Sequence, residues 1–223
     1  VKAMILAAGK GKRMLPLTLT TPKPMLEARG KPLIVHHIDR LREAGIREIV
    51  INTAHLGHVI HARLKDGRAL GVSIRYSHEG PQGLETAGGI RRARPLLGRE
   101  PFILVNADIW TDFIYDSLSM DIGGLAQLVL VGNPEHNPGG DFALDGETVA
   151  NAGPDKLTFA GISVISPALL DLLDAKEARL APYLRAAADL GQVTGLRHHG
   201  EWFDIGTPER LQRLNLSAIA TAG

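Results

Sequence analysis

Over residues 3–105 short apolar runs alternate with segments of helical spacing, and this alternation restricts the fold more than any other feature. Residues 3–7 form an apolar run that stops at glycine. Leu33, His37, Leu41 and Ala44 recur at helical intervals and meet Gly45, a helix stop. Residues 49–51, 72–76 and 102–105 read as strands, and 58–64 and 86–97 as helices. Such β–α alternation predicts a mixed, mostly parallel sheet between two layers of helices, a Rossmann-like α/β fold of three layers. After about residue 125 the rhythm tightens. Residues 128–131, 141–144, 157–165 and 193–196 predict strands, 167–173 and 182–190 helices. The last helix opens at Thr207-Pro208-Glu209, with Thr207 as N-cap. No linker or repeat divides the 223 residues, so one domain over 1–223 is expected, with a β-rich half from residue 125.

Composition excludes several classes. A formal net charge of +1 gives no general attraction to nucleic acid or an anionic membrane, so neither is an expected partner. The absence of cysteine excludes disulfides and thiolate zinc sites and fits the cytoplasm. No apolar run approaches the roughly 20 residues that span a bilayer.

Ligands of open α/β sheets bind beyond the carboxyl ends of strands, which singles out the loops at 8–24, 77–89, 106–112 and 198–208. In the first, Ala8-Gly9-Lys10-Gly11-Lys12-Arg13 offers backbone amides and local positive charge, a combination suited to phosphate oxygens. It is not a P-loop, because neither Gly-Lys pair is followed by Ser or Thr. Nor is it a dinucleotide fingerprint, because Met14 stands where the third glycine belongs. Pro22 and Pro24 predict an extended, stiff chain that fixes Lys23 between them. The alternative is a basic surface loop merely stiffened by prolines.

The run Leu6-Ala7-Ala8-Gly9-x-Gly11-x-Arg13-Met14-x-Pro16-Leu17-Thr18, with Pro22-Lys23-Pro24-Met25, resembles the signature of sugar-1-phosphate nucleotidyltransferases, a GT-A-like fold. The resemblance implies that Leu6, Ala7, Ala8, Gly9, Lys10, Gly11 and Lys12 hold a nucleoside triphosphate. Arg13 would stabilise the pyrophosphate leaving group, and Lys23 would contact the α-phosphate and the sugar phosphate. Residues 1–124 become the nucleotide-binding half and 125–223 the sugar-binding half. Val105-Asn106-Ala107-Asp108 and Trp202-Phe203-Asp204-Ile205-Gly206-Thr207 match the family's two aspartate segments. Asp108 and Asp204 are thus expected to hold Mg²⁺, with Asn106 beside the nucleotide and Asp108 counted with Arg13 and Lys23 as catalytic. From the residues alone each aspartate reads equally well as a turn or capping acid, and Asp112 is a second acid nearby.

Residues 79–89, Glu-Gly-Pro-Gln-Gly-Leu-Glu-Thr-Ala-Gly-Gly, resemble the family's base-and-sugar segment. Glu79 aligns with the residue that pairs with the base, Gly83 lies beside the nucleotide, and Glu85 and Thr86 face the sugar. Gly140-Asp141-Phe142 and Ala160-Gly161-Ile162 resemble two sugar-contacting segments, which makes Asp141 and Gly161 sugar contacts. The family's Glu-Lys-Pro segment has no clear counterpart, Asp155-Lys156 being the nearest. The Leu-Glu-Thr form and short length look most like the branch that uridylylates N-acetylmuramic acid 1-phosphate in cell-wall recycling. Transfer of guanylyl to mannose 1-phosphate or thymidylyl to glucose 1-phosphate is the runner-up. A glycosyltransferase lacks the need for Arg13 and Lys23, and a non-catalytic sensor lacks the need for all four polar positions. Nothing after Gly206 carries the hexapeptide repeat of a β-helix. A monomer and a small homo-oligomer are both open. His55, His58 and His61 read as solvated, the Arg91-Arg92-x-Arg94 run as a helix face, and Trp110 and Trp202 as pocket walls or buried rings.

Overall fold

The structure is a computed structural model that describes residues 1–220, with side chains to Ser217. In chain order its strands are β1 (Lys2–Leu6), β2 (Glu27–Ala28), β3 (Lys31–Pro32), β4 (Glu48–Thr53), β5 (Ser73–His78), β6 (Phe102–Asn106), β7 (Ile109–Thr111), β8 (Ala126–Val131), β9 (Ala143–Asp145), β10 (Thr148–Ala150), β11 (Thr158–Ile165), β12 (Val193–Arg197) and β13 (Trp202–Asp204). The helices are α1 (Leu33–Glu43), α2 (Gly57–Leu64), α3 (Glu85–Leu97), α4 (Ala181–Asp189) and α5 (Pro208–Ala220).

Nine strands form one sheet in the order β5-β4-β1-β6-β11-β8-β12-β10-β9. The parallel ladders β5-β4-β1-β6 come from the β–α alternation of the first half. β11 inserts antiparallel between β6 and β8, and β10 runs antiparallel between β12 and β9; the other seven strands share one direction. This is the mixed, mostly parallel sheet that the sequence predicts.

β1 lies inside the sheet between β4 and β6, so its residues alternate between two cores rather than between core and water. Ala3 and Ile5 join Ile34, Ile38 and Leu41 of α1 and Ile60 and Leu64 of α2 on one face. Met4 joins Ile90 and Leu97 of α3 and Tyr183 and Leu184 of α4 on the other. A third cluster of Met14, Leu26, Leu33, Trp110, Ile205 and Leu214 fastens the first loop to β7 and α5. α5 opens as expected: Thr207 Oγ1 accepts from Arg210 N at 3.4 Å.

Four local expectations change. Residues 141–144 are not one strand: Phe142 forms an isolated bridge to Leu157, and β9 begins at Ala143 and turns back through β10. Pro167–Asp171 is a short 3-10 helix that starts at Ser166, whose Oγ accepts from Ala168 N. Residues 198–208 are not wholly a loop, because β13 pairs antiparallel with β7. Lys23 is not in an extended stretch; Pro22 is extended (ψ 143°), but Lys23–Met25 forms a 3-10 turn closed by Met25 N to Pro22 O at 2.8 Å.

Candidate active site

A cleft of about 430 Å³ opens at the carboxyl ends of β1, β4, β5 and β6. One wall is the end of β1 and its loop, from Leu6 through Ala7, Ala8 and Gly9 to Lys10. Leu6 O accepts from Ala107 N at 3.1 Å, which ties this wall to the segment carrying Asp108. The opposite wall is the 82–86 segment, with Gly83, Glu85 and Thr86. Across the mouth Lys10 Nζ reaches Gln82 Oε1 at 3.4 Å. Asn106, Asp108 and Lys23 line the floor.

Lys23 is the most deeply set cation here, 9% exposed, and donates to Asp108 Oδ2 at 2.8 Å. Asp108 keeps 39% of its side-chain surface, so its second oxygen is open to a ligand. β7 follows at once and brings β13 alongside: Ile205 N donates to Asp108 O at 2.9 Å, and Asp204 pairs in register with Ile109. The two aspartates, far apart in sequence, are therefore brought near each other, Asp108 in the turn before β7 and Asp204 at the end of β13. Asp204 Oδ2 accepts from Arg210 Nη1 at 2.6 Å and meets His136 Nε2 at 3.0 Å. Arg13 is close by, since a Cβ on Gly206 would lie 3.4 Å from both Arg13 Nη1 and Asp204 Oδ1.

This donor set suits Mg²⁺, a hard cation that takes one or two protein carboxylates and completes its shell with phosphate and water. Among the described residues no three His, Cys, Asp or Glu side chains gather into a self-sufficient cage.

Not every expected residue reaches the cleft wall. Gly11 (φ 60°) turns the loop away; its carbonyl accepts from Thr18 Oγ1 at 2.8 Å and Met14 N at 2.8 Å, leaving Lys12 and Arg13 outside the wall. Asp141 uses Oδ2 to accept from Phe159 N at 2.8 Å, stabilising the start of the β11 irregularity. Gly161 (φ 78°) lies inside that irregularity, where a Cβ would come 2.8 Å from Asn106 Nδ2. It touches the site only by leaving room for Asn106. Asp112 pairs with His198 Nε2 at 2.8 Å, separate from the Lys23–Asp108 contact. Trp110 is buried beneath the Arg29 guanidinium, 3.8 Å from its ring centre, and Trp202 donates to Ala160 O at 2.9 Å. Below β7, His37 meets Ile109 O at 2.9 Å and Tyr115 OH at 3.2 Å, and burial pushes its pKa down to about 4.

Sequence reasoning missed Asn52, at the end of β4. Its Oδ1 accepts from Ala7 N at 2.8 Å and its Nδ2 donates to Glu79 Oε1 at 2.7 Å. Glu79 Oε2 accepts from Leu84 N at 2.8 Å. A buried asparagine at a strand end beside a glycine loop is a weak signal, and only the β5-β4-β1 order brings these groups together.

A family model described as nucleotidyl transferase matches residues 2–139. The chain belongs to that family. It is 48% identical to the N-acetylmuramate alpha-1-phosphate uridylyltransferase of Neisseria meningitidis serogroup B, over 99% of both chains. The enzyme of the same name from Caulobacter vibrioides is 34% identical over 93% of this chain and 92% of its own. A mannose-1-phosphate guanylyltransferase catalytic subunit beta of Danio rerio is 30% identical, over 94% of this chain and 62% of that one. Among solved structures, a Bacillus anthracis protein assigned as a glucose-1-phosphate thymidylyltransferase superposes with TM-score 0.86 at 21% identity, covering 97% of this chain and 94% of that one. The family's architecture thus recurs where sequence similarity has faded.

Proposed function

We propose that this family member transfers a uridylyl group from UTP to N-acetylmuramic acid 1-phosphate, releasing pyrophosphate. The observation that carries the reading is the buried Lys23, fixed on Asp108 at the floor of a cleft walled by a glycine loop. Full-length similarity to two uridylyltransferases of that name supports the substrate pair. The relation to a guanylyltransferase keeps mannose 1-phosphate with GTP as the second reading.

A sugar phosphate oxygen attacks the α-phosphorus of UTP, a new P–O bond forms, and the bond to the β-phosphate oxygen breaks in line. Both reactants are anions, so the chain must offset their repulsion and the charge that develops on the leaving group. In this reading Lys23 would meet the α-phosphate and the sugar phosphate, and Arg13, outside the cleft wall near Gly206, would have to reach in to the departing pyrophosphate. The amides of Ala8 to Lys10 would orient the triphosphate. Mg²⁺ held by Asp108 and Asp204 would supply further charge neutralisation. A sugar phosphate is ionised at neutral pH, so no side chain needs to act as base. Glu85 and Thr86 face the sugar from the opposite wall. Use of UTP and a cell-wall sugar phosphate places the proposed reaction in the cytoplasm, in cell-wall recycling.

The test is pyrophosphate release with Mg²⁺ across a grid of UTP, GTP, dTTP, CTP and ATP against several sugar 1-phosphates. Release should peak with UTP and N-acetylmuramic acid 1-phosphate. A peak at another pair would move the substrate, and no release from folded protein would favour a sensor.

A further inference from the structure

We propose that Asn52 and Glu79 form a positioning clamp that sets the spacing of the two cleft walls, and that Glu79 acts through Leu84 rather than by reading the base itself. The inference rests on the proposed use of this cleft for a nucleoside triphosphate.

The chain of bonds runs from Ala7 N–H to Asn52 Oδ1, from Asn52 Nδ2–H to Glu79 Oε1, and from Leu84 N–H to Glu79 Oε2. Ala7 belongs to the phosphate-side wall and Leu84 to the opposite one. Asn52 and Glu79 are 3% and 9% exposed, so water does not readily replace a lost bond. The backbone of Glu79 is held as well, its N donating to Thr53 O at 2.9 Å. The helix that follows is shaped around the pair: a Cβ on Gly89 would sit 2.3 Å from Glu79 Oε1 and 3.1 Å from Asn52 Nδ2.

The polarity of this chain is fixed at both ends, because backbone N–H groups only donate. Two converging donors require an acceptor at each end and one donor–acceptor link between the side chains. One amide with one carboxylate meets that requirement. Two amides leave two N–H groups facing each other, and two ionised carboxylates leave two acceptors facing each other. The requirement is indifferent to which position carries the amide. Exchanging them, with Asn52→Asp and Glu79→Gln together, preserves every bond.

A residue that reads the base directly makes the opposite demand. Its own acceptor or donor pattern matters, and an exchange with a neighbour does not restore it. Each Glu79 oxygen accepts one protein N–H, so the carboxylate is held at both ends before any ligand enters, as the positioning role requires.

The experiment compares wild type, Asn52→Asp, Glu79→Gln and the double exchange. Four quantities are read: Tm, KM for UTP, kcat, and the amide shifts of Ala7 and Leu84 by nuclear magnetic resonance. Each single variant should raise KM for UTP by about tenfold while changing kcat by less than about threefold, the scale of one charge-assisted bond acting on binding. Each should lower Tm and shift both amides. The double exchange should return Tm, both amide shifts and KM to near wild type. A double variant that regains Tm but keeps the KM of Glu79→Gln overturns the proposal and gives Glu79 a direct role at the base. A double variant that regains neither overturns it too, as do single variants with unaltered KM. Tm and amide shifts need no turnover, so an inactive wild type would count against the proposed reaction and leave the clamp to be judged on them.

Discussion

Lys23 Nζ lies 2.8 Å from Asp108 Oδ2, and the two partners differ sharply in exposure: the lysine side chain keeps 10% of its surface and the aspartate 39%. The consequences of removing each partner are therefore unequal. Lys23→Ala leaves a hydrated carboxylate and should change stability by less than about 1 kcal/mol. Asp108→Ala leaves a buried ammonium without its partner and should cost about 1–3 kcal/mol. Both should reduce pyrophosphate release by at least about a hundredfold. Thermal melts and steady-state assays of the two variants check the stability order and the shared loss of turnover.

Asp204 accepts from Arg210 and faces His136 at the edge of the proposed metal position. Asp204→Asn keeps the shape and one acceptor but loses the charge. The Mg²⁺ concentration for half-maximal rate should rise by about tenfold or more, because the ion loses an anionic ligand. A magnesium titration at saturating substrates measures it, and an unchanged midpoint would remove Asp204 from the metal site.

His37 ties acid stability to the floor of the site. Burial lowers its folded pKa to about 4 from the ordinary histidine value of 6.5. Between these values the unfolded chain binds the extra proton, so stability falls as pH drops from 6.5 toward 4 and is fully present above 6.5. The part due to this group is on the order of 3 kcal/mol. Denaturant melts from pH 7 to pH 4 should show a shallower slope in His37→Gln, whose amide does not titrate in this range.

Gly161 sits at φ 78° with Asn106 against its open face. Gly161→Ala should lower stability by about 1–3 kcal/mol, because the backbone strain and the 2.8 Å approach to Asn106 Nδ2 act together. Displacing Asn106 should also raise KM for the nucleotide. The measurement is a melt paired with a UTP titration.

The sheet and the cleft floor were legible because their signals are local. Buried parallel strands such as β1 and β6 read as apolar runs, and the loop around Lys23 and the Asp108 segment carry recognisable patterns. Pairing across the chain left fainter traces. β13 holds three half-buried residues and exists only because β7 is its partner. Asn52 gains its meaning from strands on either side of β4. Asp141 looks like a ligand-facing acid until its carboxylate is seen holding Phe159 N, a bond within the β-rich half that the sequence pattern does not encode.

The antiparallel insertion of β11 also governs how the molecule is assembled in time. Strands β5, β4, β1 and β6 are complete once residue 106 has been synthesised, but β6 then presents an open edge. Its neighbour in the finished sheet, β11, emerges more than fifty residues later, ahead of β12 and β13. A nascent chain thus builds the glycine loop and Asp108 early and carries an unpaired, apolar strand edge until residue 165, the interval in which it is most open to mispairing or to a chaperone. Asp204 arrives with the last strand, and the first loop gains its packing against Ile205 and Leu214 only once residues 202–214 have been made.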